Sequence, residues 1–416
     1  MHHRRDFLKN TSMLLTGLAF SPTLSALHKH FPDSQKDDFW AEIRKLYPIA
    51  DAPLINLNSG SAGTPPIPVQ EALQSYYERS YTKPLYYIWN EWQEARNAIK
   101  GQIAQNHHCH ANELAFLRNT TEGLNTILYG FPLQEGDEVV AARHDYPNAL
   151  KTLEHLCKHK KVNLKIVEFN LPLEDDDTFL ETYAAAFTEK TKLVLFTHVT
   201  HAQGQILPIK KLCAFAQSKG IDTLVDAAHS FSHIDHKIGD LGCDYYATSL
   251  HKWLCAPYGT GLLYVKEAKI PKIAPIHIAL PPDGEKINKL EATGTRAYPI
   301  DMGIGAAVAF EDTLKIGRKQ ARLQHLKNYW TKAVASLENV DIRTSLNPAY
   351  SCAIASFSIK GKSMRQVKKA LKERFHVHTK TVGLPVGSAI RITPNVYTLE
   401  KDLDVLVEGI FELSDG

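Results

Sequence analysis

Between residues 138 and 265 short apolar runs alternate with longer amphipathic stretches, and this alternation restricts the fold more than any other feature of the chain. The apolar runs predict strands at 138–142, 163–167, 193–198, 223–226, 245–248 and 261–265. The stretches between them predict helices at 147–159, 178–187 and 208–219. Strands alternating with helices of this length form a parallel or mostly parallel sheet covered on both faces, which makes the chain an α/β protein. Ligands of such sheets lie beyond the carboxyl ends of the strands. His201, Asp226 and the segment 249–252 all fall at such ends, so one pocket can contain them.

Before this region a helical pattern runs over 36–50, followed by a loop at 54–66 rich in Gly, Ser and Pro. Helices are expected at 67–80, 91–105 and 121–129, with a strand at 113–117. After about residue 300 the texture changes. One long helix is expected over 302–337, then strands at 340–343, 353–358, 375–381 and 390–393, with helices at 364–374 and 398–413. This reads as a large domain over 27–310, with its N-terminal segment, and a smaller α+β domain over 311–416.

Asp226 closes the run at 223–226, and Lys252 follows the run at 245–248 within Ser249, Leu250, His251, Lys252 and Trp253. A carboxylate at one strand end, a lysine after the next, and Ser and His just before that lysine make an arrangement suited to pyridoxal 5'-phosphate. The lysine supplies the Schiff base, and the carboxylate keeps the pyridine nitrogen protonated so that the ring acts as an electron sink. A lysine does this near neutral pH only when partly desolvated or close to other positive charge. Taken alone, Lys252 reads as a surface lysine and Asp226 as a solvated carboxylate; their pairing favours the cofactor. His229 can reach the ring's phenolic oxygen.

The phosphate needs donors. Arg118, Asn119, Thr120, Thr121 and Glu122 follow a strand and open a helix, and Thr120 and Thr121 are expected to cap it. Free N–H groups at a helix start suit a phosphate, and Ser249 and His251 add donors from a second direction. Tyr146 can stack on the pyridine ring. Arg391 interrupts an apolar strand, where a guanidinium can clamp a substrate carboxylate; Asn58 is placed with it on the substrate side. His107, His108, Cys109 and His110 look like a metal-ligand run, but adjacent residues point in different directions, and no metal is expected.

The net charge of +3 on 416 residues gives no support for nucleic-acid binding. Six cysteines without C-x-x-C spacing argue against a disulfide framework. At the start, Arg4, Arg5, Asp6, Phe7, Leu8 and Lys9 precede a short apolar stretch and small residues. Residues 1–26 therefore resemble a twin-arginine signal for export of a folded protein, with the periplasm as the expected destination and the cytoplasm as the alternative. The apolar stretch is too short to span a membrane.

In their order along the chain, the segments 56–65, 118–125, 145–148, 226–230, 249–260, 293–296 and 391–398 resemble the motifs of class V aminotransferase-fold enzymes, the group that includes cysteine desulfurases, kynureninases and isopenicillin N epimerase. The resemblance covers roughly residues 50–410 and implies a fold-type I pyridoxal-phosphate enzyme, a homodimer and an amino-acid-type substrate. It makes Lys252 the cofactor lysine, Tyr146 the ring-stacking residue, Arg391 the carboxylate-binding residue, and Thr295 a residue that reaches the phosphate of the partner subunit. His201 stands where many members carry Asn, and His229 where desulfurases usually carry Gln. A desulfurase needs a cysteine on a mobile loop before the substrate arginine, and residues 381–388 contain none. The expected activity is therefore aminotransferase- or epimerase-like chemistry at an α-carbon. A desulfurase-like β-lyase and a non-catalytic binding protein on the same fold are the alternatives.

Overall fold

A computed structural model describes residues 37–49, 53–281 and 284–415; the twin-arginine segment lies outside them. β1 (Ile55–Asn56) stands apart from the main sheet. That sheet contains β2 (Leu114–Leu117), β3 (Glu138–Ala142), β4 (Asn163–Val167), β5 (Thr191–Thr197), β6 (Asp222–Asp226), β7 (Tyr245–Ser249) and β8 (Gly261–Val265), in the order β2-β8-β7-β6-β5-β3-β4. Neighbours from β7 to β4 are parallel. β8 is antiparallel to both β7 and β2, so it alone runs against the other six. The carboxyl ends of those six strands share one edge.

These strands read as unbroken apolar runs because both faces are buried. Val140, Val194, Phe196, Val225 and Tyr246 point into one core, while Val139, Leu193, Leu195, Leu224 and Tyr245 point into the other. Alternation of side chains along each strand divides the run between two helical layers.

After residue 334 come β9 (Val340–Ile342), β10 (Ala355–Ile359), β11 (Val377–His378), β12 (Lys380–Gly383) and β13 (Ser388–Ile392). Four of them make an antiparallel sheet, β12-β13-β10-β9. Leu326, Trp330, Phe357, Leu371, Ile390 and Leu406 share its core.

Two expected elements differ. The helix expected over 302–337 is two helices, Tyr298–Leu314 and Ile316–Val334, broken at Lys315 with φ 66° and ψ 123°. The first packs on the helices Ile67–Thr82 and Glu91–Asn106, the second on Glu400–Asp415. One straight rod could not serve both surfaces. The strand expected over 375–381 is likewise two strands. β11 pairs in parallel with β1, and β12 pairs with β13. The β1–β11 pairing carries Leu57, just after β1, into the C-terminal core. The short helix Pro84–Trp89 was not foreseen.

Candidate active site

The strand ends open onto a cavity of about 250 Å³, lined on one side by the main sheet's edge and on the other by β12 and β13. Thr120, Thr121, Tyr146, His201, Asp226, His229, Ser249, His251, Lys252 and Arg391 all line it, so ten of the residues singled out from sequence converge. Asn58 and Thr295 are not in the lining.

Lys252 is held over the edge by the β7–β8 connection. Leu250 N–H donates to the Thr260 carbonyl at that loop's base, and Ala256 N–H to the Leu250 carbonyl. The loop carrying Gly60 to Gly63 lies against it, with Gly63 N–H donating to the His251 carbonyl. A Cβ on Gly63 would fall 2.0 Å from the Lys252 carbonyl oxygen, so only glycine allows this approach. Burial lowers the Lys252 pKa to about 8; Asp226 opposes that shift, while Arg391 and Lys380 reinforce it.

Asp226 ends β6 and is 4% exposed. One carboxylate oxygen accepts from Ala228 N–H at 2.9 Å, and the other has no hydrogen-bond partner among the described residues. Burial raises its pKa, and the Ala228 bond and Lys252 counteract the rise. His229 Nε2 lies 3.4 Å from Lys252 Nζ. Its Nδ1 accepts from the Trp253 indole N–H at 3.3 Å, which leaves the ring's proton on Nε2, pointing toward Lys252. Trp253 is itself stacked on His233, centroids 3.6 Å apart. Burial holds His229 well below the usual histidine range, so it stays neutral.

Where the phosphate is expected, Thr120 N–H donates to Ser249 Oγ at 2.9 Å, and the two hydroxyls are bonded at 2.7 Å. The threonines were expected to cap the helix Thr120–Gly130; the cap is Asn119, whose Oδ1 accepts from Glu122 N–H at 2.9 Å. Asn119 reaches the third N–H of the helix, while the Thr120 hydroxyl is engaged by Ser249, so the threonines form the first turn instead. A Cβ on Gly261 would lie 2.6 Å from Asn119 N, so β8 must start with glycine to let this helix start approach. His251 Nδ1 donates to the Thr260 carbonyl at 3.0 Å, leaving Nε2 as the free ring nitrogen.

Arg391 is 2% exposed. Nη1 donates to the His201 carbonyl at 2.9 Å, and Nη2 to Asn58 Oδ1 and Ser61 Oγ, each at 3.0 Å. All three acceptors are neutral. Asn58 thus touches Arg391 without entering the cavity lining. Burial lowers the guanidinium pKa to about 10. His201 stands edge-on to Tyr146, centroids 5.6 Å apart, and burial pushes its pKa down to about 3.

Sequence reasoning gave no role to Lys380, Gly60, Ser61, Leu124, Thr197, Val199 and Ala228, which also line the cavity. Lys380 is paired directly across from Arg391, a relation that appears only once β11 and β12 are separated. All six cysteines are described, and none lines the cavity. Cys255 turns its sulfur to the Lys252 carbonyl, and burial raises its pKa to about 11. Of the histidine run, His107 is stacked on Phe231 and His108 pairs with Asp240. Thr295 is exposed, in the segment before the helix Tyr298–Leu314.

The cavity's unmatched groups fit pyridoxal phosphate. Arg391 Nε and His201 Nδ1 are buried without a hydrogen-bond partner among the described residues. Asp226 keeps one oxygen unpaired, and a helix start faces the cavity beside two hydroxyls. A carboxylate for a pyridinium, a desolvated lysine, a helix start for a phosphate and a guanidinium for a carboxylate match the cofactor and an amino-acid substrate group by group.

Fold and site together define an α/β enzyme that uses pyridoxal phosphate. The family "Aminotransferase class-V" matches residues 55–406, and the chain belongs to that family. The isopenicillin N epimerase of Amycolatopsis lactamdurans is 27% identical over 401 residues, covering 90% of this chain and 98% of the relative. A probable cysteine desulfurase of Halalkalibacterium halodurans is 28% identical over 408 residues, covering 89% and 96%. Among solved structures, the apo cysteine desulfurase of Thermococcus onnurineus NA1 superposes with a TM-score of 0.81 at 22% identity, covering 90% of this chain and 98% of the other. At that identity the likeness speaks for the fold.

Proposed function

We propose that this enzyme removes and returns a proton at the α-carbon of an amino acid or amino-acid-containing substrate, in the manner of an epimerase or aminotransferase. The observation that carries this reading is the convergence of Lys252, Asp226 and Arg391 on one cavity whose lining has no cysteine. Bound pyridoxal phosphate supplies a protonated ring that accepts the electron pair left at the α-carbon. Thr120, Thr121, Ser249 and His251 would hold its phosphate, Asp226 its ring nitrogen, Tyr146 a ring face and Lys252 the covalent link.

Arg391 binds the substrate carboxylate, with Asn58, Ser61 and the His201 carbonyl fixing the guanidinium so that its free N–H edge meets the ligand. Lys252 would take the α-proton; with a pKa near 8 it is both a competent base and a competent acid at neutral pH. His229, kept neutral with its proton on Nε2 by Trp253, donates without competing for that proton. Inversion of the centre needs the proton to arrive on the opposite face, from a donor other than Lys252. That no cysteine stands in the lining weighs against a desulfurase-type reaction, which uses a thiol.

The active form is proposed to be a homodimer in which the exposed Thr295 of one subunit completes the other's phosphate site, and the protein is proposed to be exported folded. Cell fractionation of full-length protein and an Arg4→Lys, Arg5→Lys form tests export: loss of periplasmic protein is expected, and an unchanged distribution contradicts it. The function is tested by the visible absorption of the purified protein before and after adding L- and D-amino acids, with product analysis. A band that shifts with particular amino acids, giving the other enantiomer or a keto acid, is expected. A protein that stays colourless after incubation with pyridoxal phosphate would contradict the proposal.

A further inference from the structure

We propose that the substrate carries a second anionic group near its α-carboxylate and that Lys380 receives it; this rests on the reading of the cavity given above. Lys380 opens β12 and is paired directly across from Arg391 in β13. Directly opposed residues of an antiparallel pair stand on the same face with Cβ atoms about 5 Å apart, and both side chains line the cavity. Lys380 has neither an ion pair nor a hydrogen bond among the described residues. Like charges opposite one another destabilise a strand pair, and half-burial adds desolvation. Both effects lower the Lys380 pKa.

The lining has one carboxylate, Asp226, against three cations, Lys252, Lys380 and Arg391. Asp226 lies at the main sheet's edge, where it is assigned to the ring nitrogen. Lys252 is assigned to the covalent link. The phosphate has the helix start and hydroxyls, also on the main-sheet wall. Arg391 takes the α-carboxylate. Lys380 alone is then left without an anion, and its position beside Arg391 puts its partner on the substrate rather than the cofactor. Lys368, on the helix Met364–Phe375, adds positive charge next to Lys380 and His378, which favours the approach of an anion. The substrate class is an amino acid with an acidic side chain, or a larger molecule presenting a carboxylate at that distance.

The test is a titration of the holoenzyme, followed by the cofactor's visible absorption, with both enantiomers of glutamate, aspartate and 2-aminoadipate. Glutamine, asparagine and norleucine serve as uncharged counterparts. At least one acid is expected to bind about tenfold or more tightly than its counterpart, the scale of one charge-assisted hydrogen bond. Lys380→Gln should bring that ratio near one with cofactor content unchanged, and Lys380→Arg should restore it. Equal affinities in the wild type, no response to any acid, or a Lys380→Gln variant that weakens acids and counterparts alike would each overturn the inference. The last outcome would assign Lys380 to the α-carboxylate. A protein that takes up no cofactor would fail the underlying reading instead.

Discussion

The two walls of the cavity are built on opposite principles. On the main-sheet wall most polar groups are matched within the protein: Thr120 with Ser249, His229 with Trp253, His251 with the Thr260 carbonyl, Asp226 in part with Ala228. On the β12–β13 wall, Lys380 and Arg391 face the cavity with no carboxylate beside them. The first wall is preorganised, as a permanently bound cofactor requires. The second bears unpaired buried charge, whose desolvation is tolerable only if a ligand's charge offsets it. Each wall therefore has its own readout: cofactor content for one, substrate affinity for the other.

Substitutions should respect that division. Lys252→Ala is expected to abolish the cofactor's anchored absorption band and lower turnover by at least about 10²–10⁴-fold, the range for a lost general acid–base; a variant with the parent's band and rate would contradict the assignment. The pH dependence comes next. Lys252 must be neutral to attack, and its pKa lies below the usual lysine range, at about 8. The neutral fraction, and with it the rate of cofactor uptake by the apoprotein, should rise about tenfold from pH 6 to 7, about fivefold from pH 7 to 8, and level above about pH 9. His229 and His201 are neutral throughout and add no inflection between pH 5 and 8. A stopped-flow uptake profile that is flat from pH 6 to 8 would count against this.

Arg391→Lys should raise KM for the amino acid about 10–100-fold through the lost fork of hydrogen bonds, with cofactor content unchanged. Steady-state kinetics and the absorption ratio measure both; a loss of cofactor would merge the two walls. The smallest effect is expected from Trp253→Phe. It keeps an aromatic ring against His233 but removes the donor to His229 Nδ1, and should lower kcat by a few-fold to about tenfold, the value of one neutral hydrogen bond. If kcat is unchanged, the indole does not set the imidazole's proton.

The same contrast governs what the sequence revealed. The main-sheet wall is local: strand, turn and functional residue lie within a few positions of each other, as in the run ending at Asp226 or the segment from Ser249 to Lys252. The sheet, the cavity edge and the candidate residues that line it were legible for that reason. The other wall depends on register between distant segments. Lys380 was hidden because 375–381 reads as one strand, whereas His376, at φ 55°, ends a helix and the strands on either side of Thr379 join different sheets. Asn58, singled out for the substrate side, bonds Arg391 from 333 positions away in the chain, a relation no local pattern reveals. The break at Lys315 was hidden because no proline interrupts 302–337.

Every other assignment in the cavity depends on Lys252 carrying the cofactor. Borohydride reduction of the cofactor-loaded protein, followed by peptide mapping by mass spectrometry, tests it most directly. The account predicts a phosphopyridoxyl group on Lys252, absent from the Lys252→Ala variant. A label on another lysine, on Lys380 above all, or no label on a protein that visibly binds the cofactor, would contradict it.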